Sequence, residues 1–113
     1  MSLFSFLTPA KDHAIAMAVR LWFNQTHKRY GNMTSIQIDS TAKSIHVELD
    51  LKGETAPLAI DVKSYELLTE SGETLIEIGD IVTSREWLNI LIADFLKPEN
   101  RRFPVPSMVK AVL

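Results

Sequence analysis

The first apolar pattern along the chain has helical spacing. Between residues 9 and 30, Ile15, Val19, Trp22 and Thr26 fall on one stripe, flanked by Ala14, Ala18 and Leu21 on one side and by Phe23 and Tyr30 on the other. A surface helix needs an apolar arc only about 100° wide, and this one is wider. The pattern therefore predicts a mostly buried helix that lies across a sheet with a second body against its side. Thr8 and Pro9 mark its start: a threonine at the N-cap accepts from an unpaired backbone N–H, and a proline at the first helical position gives up a donor that has no partner there. Gly31 marks its end. Only the arc holding His13, Arg20, Asn24, His27 and Lys28 is polar.

The period then changes from 3.6 to 2. Ile36 and Ile38 alternate with Ser35, Gln37 and Asp39; after a polar link over 40–43, Ile45, Val47, Leu49 and Leu51 alternate with His46, Glu48 and Asp50. This is the signature of an antiparallel hairpin with one buried face. Gly53 marks a second turn, and Leu58, Ile60 and Val62 alternate with Ala59, Asp61 and Lys63, with Pro57 early in the strand where a lost donor is tolerated. The alternation breaks near Ser64, where Tyr65, Leu67 and Leu68 predict either a bulge or a change of pairing. Ser71 and Gly72 then turn the chain into a fourth strand over 74–78.

A second helix follows. Thr83 is placed to cap it, Glu86 three residues on completes a capping box, and Val82 can staple onto Trp87. Trp87, Leu88, Leu91, Ile92 and Phe95 form its apolar face, with Arg85, Glu86, Asn89, Ala93 and Lys97 opposite. Pro98 ends it, because the residue before a proline is driven out of the α region. Phe103, Pro104, Val105 and Pro106 predict an extended run, and 107–113 leaves room for a short terminal helix. The expected architecture is a two-layer α+β fold of order α-β-β-β-β-α. In it both helices pack on one face of a four-stranded antiparallel meander, and a curved sheet grips the long first helix.

Composition narrows the class of protein. The chain has 113 residues, 46% of them apolar, a size and composition that suit one globular domain spanning 1–113, with 1–8 as an apolar arm and 99–113 as a tail. The absence of cysteine removes disulfides, thiolate metal sites and cysteine nucleophiles. Residues 1–7 carry no basic region or cleavage pattern of a signal peptide, and Arg20 interrupts the longest apolar run, so a cytoplasmic protein with no transmembrane segment is expected. Charge is uneven: residues 1–43 carry five positive and two negative side chains, 44–80 two and nine, and 81–113 five and three. An acidic sheet repels nucleic acid, and the flanking basic residues are too scattered to track a phosphate backbone. No nucleic-acid partner is expected.

The search for chemistry returns little. His13 and His27 stand fourteen residues apart on one helix, about 21 Å along its axis, too far to share a metal. His46 and Glu48 share the polar face of a strand at a spacing that lets them share a proton, yet an open sheet face excludes no water. Glu48, Asp50, Asp61, Glu73, Glu77 and Asp80 are spread over outward positions of separate strands rather than converging on a cleft. No phosphate-cradling glycine loop, dinucleotide fingerprint or serine elbow occurs. The expectation is a non-enzymatic protein without cofactor or metal that works by binding.

The bulky apolar set is the more informative feature, and it supports two readings. In the first, surplus apolar surface at Leu3, Phe4, Phe6, Leu7 and Ile90 mediates self-association into a homo-oligomer, making the chain an interaction module. In the second, the first helix and the sheet enclose a lipid-like small molecule, with Val19, Trp22, Phe23 and Trp87 as the apolar lining.

Overall fold

The computed structural model describes residues 9–111. Over these the elements run α1 (Pro9–Thr26), β1 (Gly31–Asp39), β2 (Ser44–Leu51), β3 (Leu58–Val62), β4 (Tyr65–Glu70), β5 (Glu73–Ile78), β6 (Ile81–Thr83), α2 (Glu86–Phe95), β7 (Arg102–Pro104) and α3 (Ser107–Lys110), with a 3-10 turn at Pro98–Asn100 before β7. The strands form two antiparallel sheets, ordered β1-β2-β3-β6 and β4-β5-β7. The fold is α+β, and no helix among the described residues is long and apolar enough to cross a membrane.

The long first helix runs alongside β1 and is clamped to it at both ends. Near its C-terminus, Asn24 accepts from the Met33 N–H at 2.7 Å and donates to the Met33 carbonyl at 3.1 Å, as a neighbouring strand would; Arg20 Nε donates to the same carbonyl at 3.2 Å. Near its N-terminus, Asp12 Oδ2 accepts from the Ser40 N–H at 3.0 Å. Between these clamps lie about 18 Å of helix and about 23 Å of strand, the strand being irregular between Met33 and Ser35. This pairing also explains why α1 stops at Thr26 and not at residue 30: the chain must reverse early to bring Met33 beside Asn24. Gly31 completes the reversal at φ +145°, where an added Cβ would collide with the Asp50 carbonyl and stand 2.7 Å from the Leu51 Cα.

The alternating segments pair as their pattern predicts. β1 and β2 join through the 40–43 link, where Asp39 Oδ1 accepts from the Thr41 and Ala42 N–H groups, both at 3.0 Å. β2 pairs with β3, setting Val47 against Ile60 and Leu49 against Leu58 on the inner face. Ser71 (φ 52°) and Gly72 (φ 80°) form the β4–β5 turn with both central residues left-handed, the geometry that matches strand twist.

The single four-stranded meander requires correction. β3 and β4 are two halves of one bent strand, and β6 and β5 are the matching halves of its partner. Val62 pairs with Ile81 and Tyr65 with Ile78; between these pairs the Lys63 N–H donates to the Asp80 carbonyl at 2.7 Å and the Gly79 N–H to the Ser64 carbonyl at 2.9 Å. Val62 and Tyr65 are both buried on the inner side. Residues three apart in a straight strand point to opposite faces, so the chain must turn a corner at Lys63 and Ser64. Gly79 permits it, because a Cβ there would collide with Ser64. The break in alternation at Ser64 is thus a fold in the hairpin, and beyond it the chain builds a second sheet. The tail adds β7 to that sheet and α3 against α1.

The second helix also departs from expectation. Thr83 lies in β6, and the helix starts at Glu86 with Arg85 at its N-cap and no side-chain cap. Thr83 instead bonds both backbone groups of Arg85, while Asn89 Oδ1 accepts from the Thr83 N–H at 2.6 Å and its Nδ2 donates to the Thr83 carbonyl at 3.1 Å. Of the expected inner face, Leu88 packs on the core and Ile92 is half-buried, whereas Trp87, Leu91 and Phe95 are exposed. The reason is position: α1 already covers the inner face of the first sheet, so α2 rests on the edge strand β6.

Candidate functional site

Two apolar regions meet along α1. At its C-terminal end, Met33, Leu49 and Leu58 form a closed cluster joined by Phe23, Leu51 and Leu88. Toward its N-terminal end the two sheets diverge from the helix, and a half-open cavity of about 320 Å³ remains between them. Its walls are Ile15, Val19 and Trp22 from α1, inward residues of β1, β2 and β3, Tyr65, Leu67 and Ile76 beyond the corner, and Val105 and Val109 from the tail. Only Trp22 and Tyr65 among the lining side chains carry a polar atom.

Near Tyr65, but outside the cavity wall, two buried polar atoms lack partners. Tyr65 is 5% exposed, and its hydroxyl makes no hydrogen bond with a described residue. Burial, together with the charges of Asp12 and Asp39, pushes its pKa up to about 12, so the phenol stays protonated and able to donate. Asp12 uses Oδ2 to hold Ser40, leaving Oδ1 buried and unpaired. Ser40 is 8% exposed, and its Oγ is likewise buried and unpaired. Buried polar atoms are satisfied in the large majority of cases, and these two are exceptions in the contact between the start of α1 and the end of β1.

The four residues expected to line an apolar site separate. Val19 and Trp22 are in the cavity wall, Phe23 faces the closed cluster, and Trp87 stands on the surface of α2. Trp87 was placed by helical periodicity, which identifies a face without saying whether anything covers it. Of the residues expected in self-association, Ile90 is exposed on α2, while Leu3, Phe4, Phe6 and Leu7 lie outside the described residues. Tyr65, Ile76 and the tail residues escaped the sequence reading. Their signal was the broken alternation at 64–65, which marks a corner only when both flanking residues are known to point inward.

The outer faces carry the charged residues. His46 Nδ1 lies 2.7 Å from Asp61 Oδ1 and its Nε2 lies 3.3 Å from Glu48 Oε2, so the ring is held between two carboxylates. The hydrogen bond to Asp61 raises the His46 pKa and lowers that of Asp61. On the second sheet Arg102 bridges Glu77, at 2.9 Å, and Glu70. Among the described residues no group of His, Asp and Glu is arranged to hold a metal. His27 packs against the Trp22 and Phe23 rings at 5.0 and 5.4 Å between centroids, a role in closing the end of α1.

The fold and the cavity together define an α+β scaffold with a half-open apolar cavity. Comparison of the chain with protein-family models, with curated proteins and with solved structures found no match.

Proposed function

We propose that the protein binds an apolar small molecule in the cavity between α1 and the two sheets and acts as its carrier or sensor, with no chemistry of its own. The observation that carries this reading is the cavity itself. Its 320 Å³ falls in the range of small-molecule pockets, and its wall is built mainly from aliphatic side chains of α1, both sheets and the tail. At ~24 cal/mol per Å³, a closed dry void of this size would cost on the order of 8 kcal/mol, as much as the whole stability of many domains. Opening to solvent lowers that figure, and an apolar occupant removes it. Native mass spectrometry of untagged protein is the direct test: a bound mass of a few hundred daltons, lost on denaturation, is expected. Protein that purifies bare, and whose Trp87→Phe variant shows no change in Trp22 fluorescence when alkanes or alkyl amphiphiles are added, would overturn the reading.

A second reading, self-association, is favoured by α2. Trp87 is 61% and Phe95 65% exposed, and Ile90 and Leu91 lie exposed on the same side of the helix. These four side chains present on the order of 500 Å², the size at which a surface patch marks an interaction site. Two copies related by a two-fold axis would bury about twice that, near the lower bound for a specific interface. Antiparallel pairing also sets Glu86 of each helix beside Lys97 of the other, and neither is ion-paired among the described residues. Sedimentation should show a dimer that Trp87→Ser with Phe95→Ser converts to monomer; a wild-type monomer at high concentration rules the contact out.

A further inference from the structure

From the wall of the cavity we infer the class of its ligand: a molecule with a single alkyl chain of limited length, held by its tail while its polar group stays in water. The inference rests on the cavity reading above. The volume of 320 Å³ holds an alkyl chain of on the order of ten carbons, taking a methylene as about 30 Å³, the share of one water in the liquid. Two-chain lipids and sterols exceed it. No carboxylate, amine or guanidinium lines the cavity among the described residues, and Trp22 and Tyr65 supply the only polar atoms of the lining side chains. A charged or hydrated head drawn inside would lose its water with no ionic partner to replace it. The half-open side leaves such a head in solvent while the tail is buried.

The limit on chain length follows from how stiff the wall is. Valine and isoleucine from α1, both sheets and the tail make up most of it, and Pro104 and Pro106 stand on the tail side. Side chains branched at Cβ have few rotamers to exchange, and proline fixes its own φ. Methionine, the side chain that reshapes itself around different occupants, is missing from the described lining. The Trp22 ring is braced from behind by His27, at 5.0 Å between centroids. A wall of this kind keeps its volume and does not swell around a longer tail. Each methylene added to a short chain is therefore buried, and once the cavity is full the next ones emerge on the open side into water, where they gain nothing.

The test uses the full chain carrying Trp87→Phe, so that Trp22 in the cavity wall is the sole tryptophan. Its fluorescence is followed at neutral pH during titration with hexanoate, octanoate, decanoate, dodecanoate and tetradecanoate, and with 1-decanol and decyltrimethylammonium beside decanoate. Affinity is expected to rise about fourfold for each added methylene, up to about ten carbons, and then to level off. The three ten-carbon probes should bind within about tenfold of one another. Ile76→Ala, which takes three carbons out of the wall, should move the break about three carbons further along the series. Where circular dichroism shows that variant unfolded, Val105→Ala, which takes out two, should move it by about two. A rise that continues through tetradecanoate, a break that stays in place when the cavity is enlarged, or one head favoured by about a hundredfold would overturn the assignment and leave the cavity reading standing. No response to any of the probes would overturn the cavity reading itself.

Discussion

The two ends of α1 show how one apolar stripe serves two purposes. At the C-terminal end, Phe23 meets Met33, Leu49 and Leu58, the Asn24 side chain is bonded to the β1 backbone, and Gly31 allows β1 and β2 to approach without a gap. At the other end, Ile15 and Val19 carry the same stripe toward the N-terminus, but the hairpin has turned its corner and the second sheet stands off, leaving the cavity. Side-chain chemistry is the same at both ends. What differs is whether the backbone opposite closes on the helix or bends away from it. The corner at Lys63 and Ser64 carries Tyr65, Leu67 and Ile76 to the cavity wall, while Val19, Ile36 and Val47 border both regions.

Substitutions can break this contrast, and the largest effect belongs at the closed end. Gly31→Ala places a Cβ against the Asp50 carbonyl at a backbone angle that alanine rarely adopts, and should cost about 3 kcal/mol or more. Chemical denaturation of the variant measures it, and a loss below about 1 kcal/mol would show that β1 and β2 relax there. Next comes Leu49→Ala, which opens a hole in the closed cluster and is expected to cost about 2–5 kcal/mol.

Adding volume tests the open end. Ile76→Phe on β5 projects extra atoms into the cavity, so its stability should change by less than about 1 kcal/mol, whereas Leu49→Phe should cost about 1–3. Equal costs at the two sites would mean that the cavity is tightly packed in solution. The same Ile76→Phe protein should lose its apolar ligand.

The smallest effect is visible only in the pH dependence. His46 is held between Asp61 and Glu48, and its pKa in the folded protein stands above the ordinary 6.5. Its contribution is fully present below pH 6.5 and fades as the pH rises through the raised value. Asp61 is held below the ordinary 3.8, so its contribution is present above that value and fades as acid approaches the lowered one. His46→Gln should flatten the fall in denaturant midpoint as the pH rises above 6.5, on the outer face of the first sheet. An unchanged profile would show the ring unpaired in solution.

Much of this architecture was legible in the chain. Strict alternation places Ile45, Val47 and Leu49 inward and His46 and Glu48 outward, because a strand has a side-chain period of two whatever surrounds it. Ser71 and Gly72 specify their turn through local backbone sterics alone. These are properties of a residue and its near neighbours, so the sequence by itself determined them. The girth predicted for α1 is not realised: Ile15 is buried, but Ala14, Leu21 and Tyr30, which widened the apolar arc, are exposed, so the helix is not mostly buried.

The corner, the standing-off of the second sheet and the fate of α2 depend on distant segments. Whether Tyr65 points in or out follows from how Lys63 and Ser64 pair with Gly79 and Asp80. Whether Trp87 is covered follows from α1 having already taken the sheet face. Whether Asp12 and Ser40 keep unpaired atoms beside Tyr65 follows from three chain segments arriving together. Periodicity gives each element a face, but only the packed chain decides what that face meets, because burial is a property of pairs of segments and not of one.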